Sequence, residues 1–173
     1  MRNLFFGLAM CVGVATAQQL PDLPLNLRVP ENQPFLMMAH GKGTQIYTCR
    51  AGGSDGGPAW SLKAPDATLF NVRGQAVAKH FAGPTWEATD GSSVKGKVVT
   101  TAPAPNPDAI PWLLLSAASH AGNGIMSKVE NIQRVKTVGG KAPATGCDAS
   151  HIGAEASVPY EADYYFYLAA AGH

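Results

Sequence analysis

With 173 residues, 13 basic and 12 acidic side chains and a formal net charge of +1, the chain carries no electrostatic footprint for nucleic acid or an anionic membrane surface. Setting aside the first 17 residues leaves 156 of the 173, the usual size of one domain and enough to bury roughly 70% of the unfolded surface. No period of about 20 to 50 residues repeats, which excludes a solenoid or a propeller.

Met1-Arg2-Asn3 opens the chain with a positive charge, Leu4 to Val14 is apolar and uncharged, and Ala15-Thr16-Ala17 follows. That order predicts a secretory signal peptide over residues 1–17, cleaved after Ala17, and export to the periplasm or the exterior. The apolar run is shorter than the about 20 residues that a helical membrane span needs, so no transmembrane segment is expected. Met10 ahead of Cys11 is too large for a lipidation site. Loss of Cys11 with the signal leaves Cys49 and Cys147, an even pair that an oxidising compartment is expected to join as a disulfide. The competing use, Cys147 and His151 as metal ligands, lacks a second matching pair.

Residues 18–34 hold Pro21, Pro24, Pro30 and Pro34, which predicts an extended lead-in wrapped on the domain. Residues 35–173 then form a single domain of mainly β structure. Strand-sized runs occupy Thr44–Arg50, Ala59–Lys63, Ala67–Arg73, Ala76–Phe81, Thr85–Thr89 and Ser93–Thr100. Arg73-Gly74 and Asp90-Gly91 read as hairpin turns inside an antiparallel meander. Four prolines between Ala102 and Pro111 mark a loop, and Trp112–Ala118 is read as a buried strand. Ile125, Val129, Ile132 and Val135 recur at helical spacing, while Ile132–Val138 is β-branched, so a short helical turn running into a strand is predicted. Ala162–Leu168 alternates Ala162, Tyr164, Phe166 and Leu168 against Asp163, Tyr165 and Tyr167, as a terminal strand should. The fold expected is an antiparallel β-sandwich or barrel with long proline-rich loops and little helix.

Several segments, in order, resemble one family: Gly43-Thr44-Gln45-Ile46-Tyr47-Thr48-Cys49, Trp60 with Ala64-Pro65, His80 through Glu87, Asp90-Gly91-Ser92, Ile110-Pro111-Trp112-Leu113-Leu114, and Ile132-Gln133-Arg134-Val135 through Gly140. The chain is similar over most of its length to the exported bacterial and fungal proteins grouped as domain of unknown function 3455. The resemblance implies no particular activity and assigns no site residue. A dehydrogenase label attached to some fungal relatives finds no support in the residues, because Ala121-Gly122-Asn123-Gly124-Ile125-Met126-Ser127 lacks the third glycine of a dinucleotide fingerprint and no βαβ pattern surrounds it.

The candidate ligand-binding residues are Trp86, Glu87 and His80. Trp60, Trp86 and Trp112 are each expected in the core three times in four, with Trp86 the best exception, an exposed aromatic platform flanked by Glu87 and His80 for a sugar or polymer. His80, Glu87 and Asp90 offer an acid and a base for hydrolysis, but no Gly-x-Ser-x-Gly elbow is present. His40, His80, His120 and His151 show no metal-ligand spacing, and no cofactor is expected. The reading favours a secreted or cell-envelope binding or structural module whose partner is an extracellular or cell-wall polymer. The alternative is a secreted hydrolase of a cell-wall or plant polymer working through Glu87.

Overall fold

The structure is a computed structural model that describes residues 22–53 and 56–170. The expected signal peptide, residues 1–17, lies outside the described residues. Eight strands follow in order: β1 (Phe35–Arg50), β2 (Ala59–Phe70), β3 (Ala76–Phe81), β4 (Thr85–Ala88), β5 (Ser93–Ala102), β6 (Trp112–Ala121), β7 (Val129–Gly139) and β8 (Glu155–Leu168). Each pairs antiparallel with the next, and β8 returns to β1 from Phe35–Tyr167 to Thr48–Glu155. Of the two architectures expected, the barrel is the one adopted. Its closure removes the unpaired edges that an open sheet presents to other chains.

The turns that organise the barrel are those read from the sequence. Asn71 accepts from the backbone N–H groups of Arg73 and Gln75 through Oδ1, and Gly74 adopts a φ of +74°, a region that glycine enters without steric cost. A 3-10 turn, Ile125–Lys128, leads into β7, so the mixed signal there reflects two short elements in succession, and a shorter one, Leu25–Leu27, interrupts the lead-in expected to be extended throughout. Several strands exceed their sequence signals: β8 starts at Glu155 rather than Ala162, β6 runs on to Ala121, and β1 and β2 differ most. β1 starts at Phe35, well before Thr44, and β2 runs unbroken through Ala64-Pro65-Asp66. Pro65 is tolerated because it lies beside a register shift at Ile46/Tyr47, where the ladder is already interrupted.

Alternation sends Ala39, Gln45, Tyr47 and Cys49 of β1 and Tyr160, Ala162, Tyr164 and Phe166 of β8 to the buried inner face. Ala39 and the four β8 residues meet Leu69, Trp86, Val94, Leu115 and Ile132 in the barrel core. Gly96 makes room for the largest of these, since a Cβ there would stand 2.9 Å from the Trp86 ring. Tyr165 and Tyr167 point outward yet are buried. The lead-in covers them: Leu23 and Leu27 pack with Leu114, Val135, Tyr165 and Tyr167 in a second apolar cluster on the barrel exterior. Gln133 anchors this strap, donating from Nε2 to the Leu27 carbonyl while accepting from the Tyr167 hydroxyl.

Connections alternate between the two ends of the barrel. At one end the Asp90-Gly91 turn meets the 3-10 turn: Asp90 accepts from the Ile125 N–H and from the N–H and hydroxyl of Ser92, and the Ser92 Oγ accepts from the Met126 N–H. Met126, fully buried, plugs the interior there. At the other end, Cys49 and Cys147 form a disulfide with Cα atoms 5.3 Å apart, within the roughly 7 Å that such a bond requires. No helix among the described residues is long and apolar enough to cross a membrane.

Candidate functional site

The disulfide-bonded end of the barrel is not filled. A cavity of about 290 Å³ opens between the middle of β1, the first half of β2, the β3–β4 turn and strands β5 to β7. Its walls are largely apolar, with Leu62, Val98, Leu113 and Leu115 among them. The polar groups that line it are Gln45, Lys63, His80, Trp86 and Arg134.

Three of these carry buried N–H groups with no hydrogen-bond partner among the described residues: Gln45 Nε2, Trp86 Nε1 and Arg134 Nε. Gln45 and Trp86 are each 1% exposed. Buried donors are paired in the great majority of folded proteins, so each exception calls for a reason. A fourth unpaired donor, Trp112 Nε1, belongs to the exterior cluster. Three of the four therefore belong to side chains that line one cavity, each N–H set behind its surface.

Strand pairing fixes this arrangement. His80 and Trp86 are cross-strand partners on β3 and β4, and their rings stack with centroids 4.3 Å apart and planes 8° from parallel. His80 donates from Nδ1 to the Thr85 carbonyl in its neutral form, leaving Nε2 as an acceptor. Burial pushes its pKa down to about 3, partly opposed by that hydrogen bond. Arg134 lies opposite Leu113 on β6 and Tyr164 on β8. Its guanidinium donates to the Pro111 carbonyl and makes no ion pair among the described residues. Burial lowers its pKa, while nearby Tyr164, Tyr160 and Tyr47 act in the opposite sense. These phenols do not neutralise it, because burial first of all raises the pKa of each.

The exposed platform expected at Trp86 is not what forms. Trp86 faces inward with Ala88, while its strand neighbour Glu87 faces out to solvent on the opposite side of the sheet. A two-residue period on a closed barrel permits nothing else. The structure thus brings Trp86 and His80 together and separates Glu87 from both. Asp90 is occupied by the 3-10 turn at the far end. Trp60 donates to the Thr145 carbonyl, and Trp112 packs beside the exterior cluster. Asp148, Ser150 and His151 cluster beside the disulfide, but the serine hydroxyl and the carboxylate address the same ring nitrogen, Nδ1. That leaves no relay from carboxylate through histidine to serine.

Gln45 and Arg134 were absent from the sequence-derived candidates. The available signal was spacing: Arg134 shares a strand face with Ile132, and Gln45 shares one with Tyr47 and Cys49.

Fold and cavity together define a small antiparallel β-barrel with a largely apolar pocket at one end. Residues 30–168 match the family described as Protein of unknown function (DUF3455), and the chain belongs to that family. No curated protein and no solved structure matches it.

Proposed function

We propose that this protein is an exported binding module that takes up a small molecule at the mouth of its barrel. The observation that carries the reading is a largely apolar cavity beside the His80–Trp86 stack, three of whose lining side chains carry buried N–H groups without a partner among the described residues. Ligand sites are concave, mainly apolar and furnished with a few polar groups that fix orientation. A volume of about 290 Å³ holds on the order of ten waters or a ligand of about as many heavy atoms. Trp86 and His80 are the site residues in this reading. Export rests on the order of residues 1–17 and is supported by the disulfide, a bond at home in oxidising compartments.

Hydrolysis of a polymer through Glu87 is disfavoured. Its expected partners point elsewhere, His80 into the barrel and Asp90 toward the 3-10 turn. General acid–base chemistry needs both groups within hydrogen-bond reach of one substrate.

Benzyl alcohol, a neutral aromatic probe that fits the volume, tests uptake. It is expected to perturb Trp86 fluorescence saturably, with the change abolished by Leu115→Trp, which fills the cavity. A linear, non-saturating response would contradict the reading.

A further inference from the structure

The polar lining of the cavity includes two acceptors, His80 Nε2 and the Gln45 side-chain oxygen, but its unpaired buried atoms are all of one kind. Gln45 Nε2, Trp86 Nε1 and Arg134 Nε are all donors, all buried and all without a partner among the described residues. A ligand that satisfies them must present acceptors. Arg134, half-buried, adds a full positive charge with no carboxylate paired to it among the described residues, and a partly desolvated guanidinium is favoured by an anion beside it. The other cations nearby do not raise the count. Lys63 at the rim is paired with Glu155, and His80 is neutral with Nδ1 committed to Thr85.

We infer that the ligand is a small monoanion, a carboxylate carried on an apolar body, whose oxygens accept from Gln45, Trp86 and Arg134. The inference rests on the cavity reading above and names the ligand chemistry for that same site. One cation matches one negative charge. The guanidinium edge and two further N–H groups suit a planar acceptor with two oxygens, the geometry that arginine recognises in carboxylates. Leu62, Leu113 and Leu115 supply the apolar wall for the rest of the molecule. A dianionic phosphate would bring a second charge that nothing in the cavity balances.

Isothermal titration of the purified protein with benzoate, benzyl alcohol and phenyl phosphate tests this. Benzoate is expected to bind more than about tenfold more tightly than benzyl alcohol, the effect of a charge-assisted hydrogen bond, and more tightly than phenyl phosphate. Gln45→Met and Arg134→Met are expected to erase most of the benzoate preference while benzyl alcohol binding persists. Gln45→Met should also melt no lower than wild type, because it replaces an unpaired buried amide with an apolar chain of similar size. Should Arg134→Met fail to fold, Gln45→Met alone decides. Equal affinity for benzoate and benzyl alcohol overturns the anion assignment and leaves the cavity reading standing. Tighter binding of phenyl phosphate, or an undiminished benzoate preference in Gln45→Met, overturns the carboxylate assignment. Failure of all three probes to bind overturns the cavity reading and this inference with it.

Discussion

The two ends of the barrel solve the same problem in opposite ways. Where the 3-10 turn closes the interior, Met126 fills the space and Asp90 and Ser92 satisfy the backbone donors around it. At the disulfide end, space is left open, and three of the side chains around it carry buried N–H groups without a partner among the described residues. A strand sequence that pairs its polar groups at one end is capable of doing so at the other. On the proposed function, the first end supplies stability and the second takes up the ligand, with the disulfide tying the open end together.

The sharpest way to break this division is to remove the Cys49–Cys147 bond, which closes a separation of 98 residues. The Cys49→Ser/Cys147→Ser double variant is expected to lose about 4 to 5 kcal/mol in denaturant unfolding. A loss confined to a few tenths would show that loop packing suffices at the open end. Next in size, Met126→Ala at the closed end is expected to cost about 2 to 5 kcal/mol by leaving a cavity, measured in the same way, without weakening probe binding at the opposite mouth.

The open end also carries a pH signature. His80 has a pKa lowered to about 3 by burial, whereas the unfolded chain takes up that proton near 6.5. A folded pKa depressed in this way gives stability that is present above about pH 6.5 and is lost as pH falls toward 3, with a slope of about 1.4 kcal/mol per pH unit. His80→Phe should flatten that slope, as read from unfolding midpoints between pH 6 and 4. The closed end responds lower on the scale. Hydrogen bonds from Ser92 first, then from Ile125, lower the pKa of Asp90. Its contribution is therefore present above about pH 4 and fades below it. Asp90→Asn should destabilise slightly at neutral pH and converge with wild type in acid.

The closed end was the more legible in the sequence. Asp90-Gly91, Arg73-Gly74 and the Ile125–Val135 spacing each encode their element locally, and those elements formed as read. The start of β1 was not legible, because Phe35-Leu36-Met37-Met38 shows no alternation. Its outer face is covered by the lead-in, with Phe35 and Met38 packed against the exterior cluster, so both faces are apolar. The open-end site was half legible. The Trp86 and His80 pairing follows from a tight hairpin, but the expected exposure failed because the inner face of a barrel depends on which side closes. Gln45 and Arg134 meet only after distant strands take their register, and no local motif announces that.

The central claim, that the unpaired donors of the open end exist to hold a ligand, is tested most directly by side-chain proton–nitrogen correlation spectroscopy during a benzoate titration. The molecule supplies its own controls, since the Trp60 N–H is already bonded to Thr145 and the unpaired Trp112 N–H lies in the exterior cluster. The account predicts that the Trp86 indole and Arg134 Nε–H signals move together and saturate while those of Trp60 and Trp112 stay in place. Movement of Trp112 with Trp86 unmoved, or no saturating shift in either Trp86 or Arg134, would contradict it.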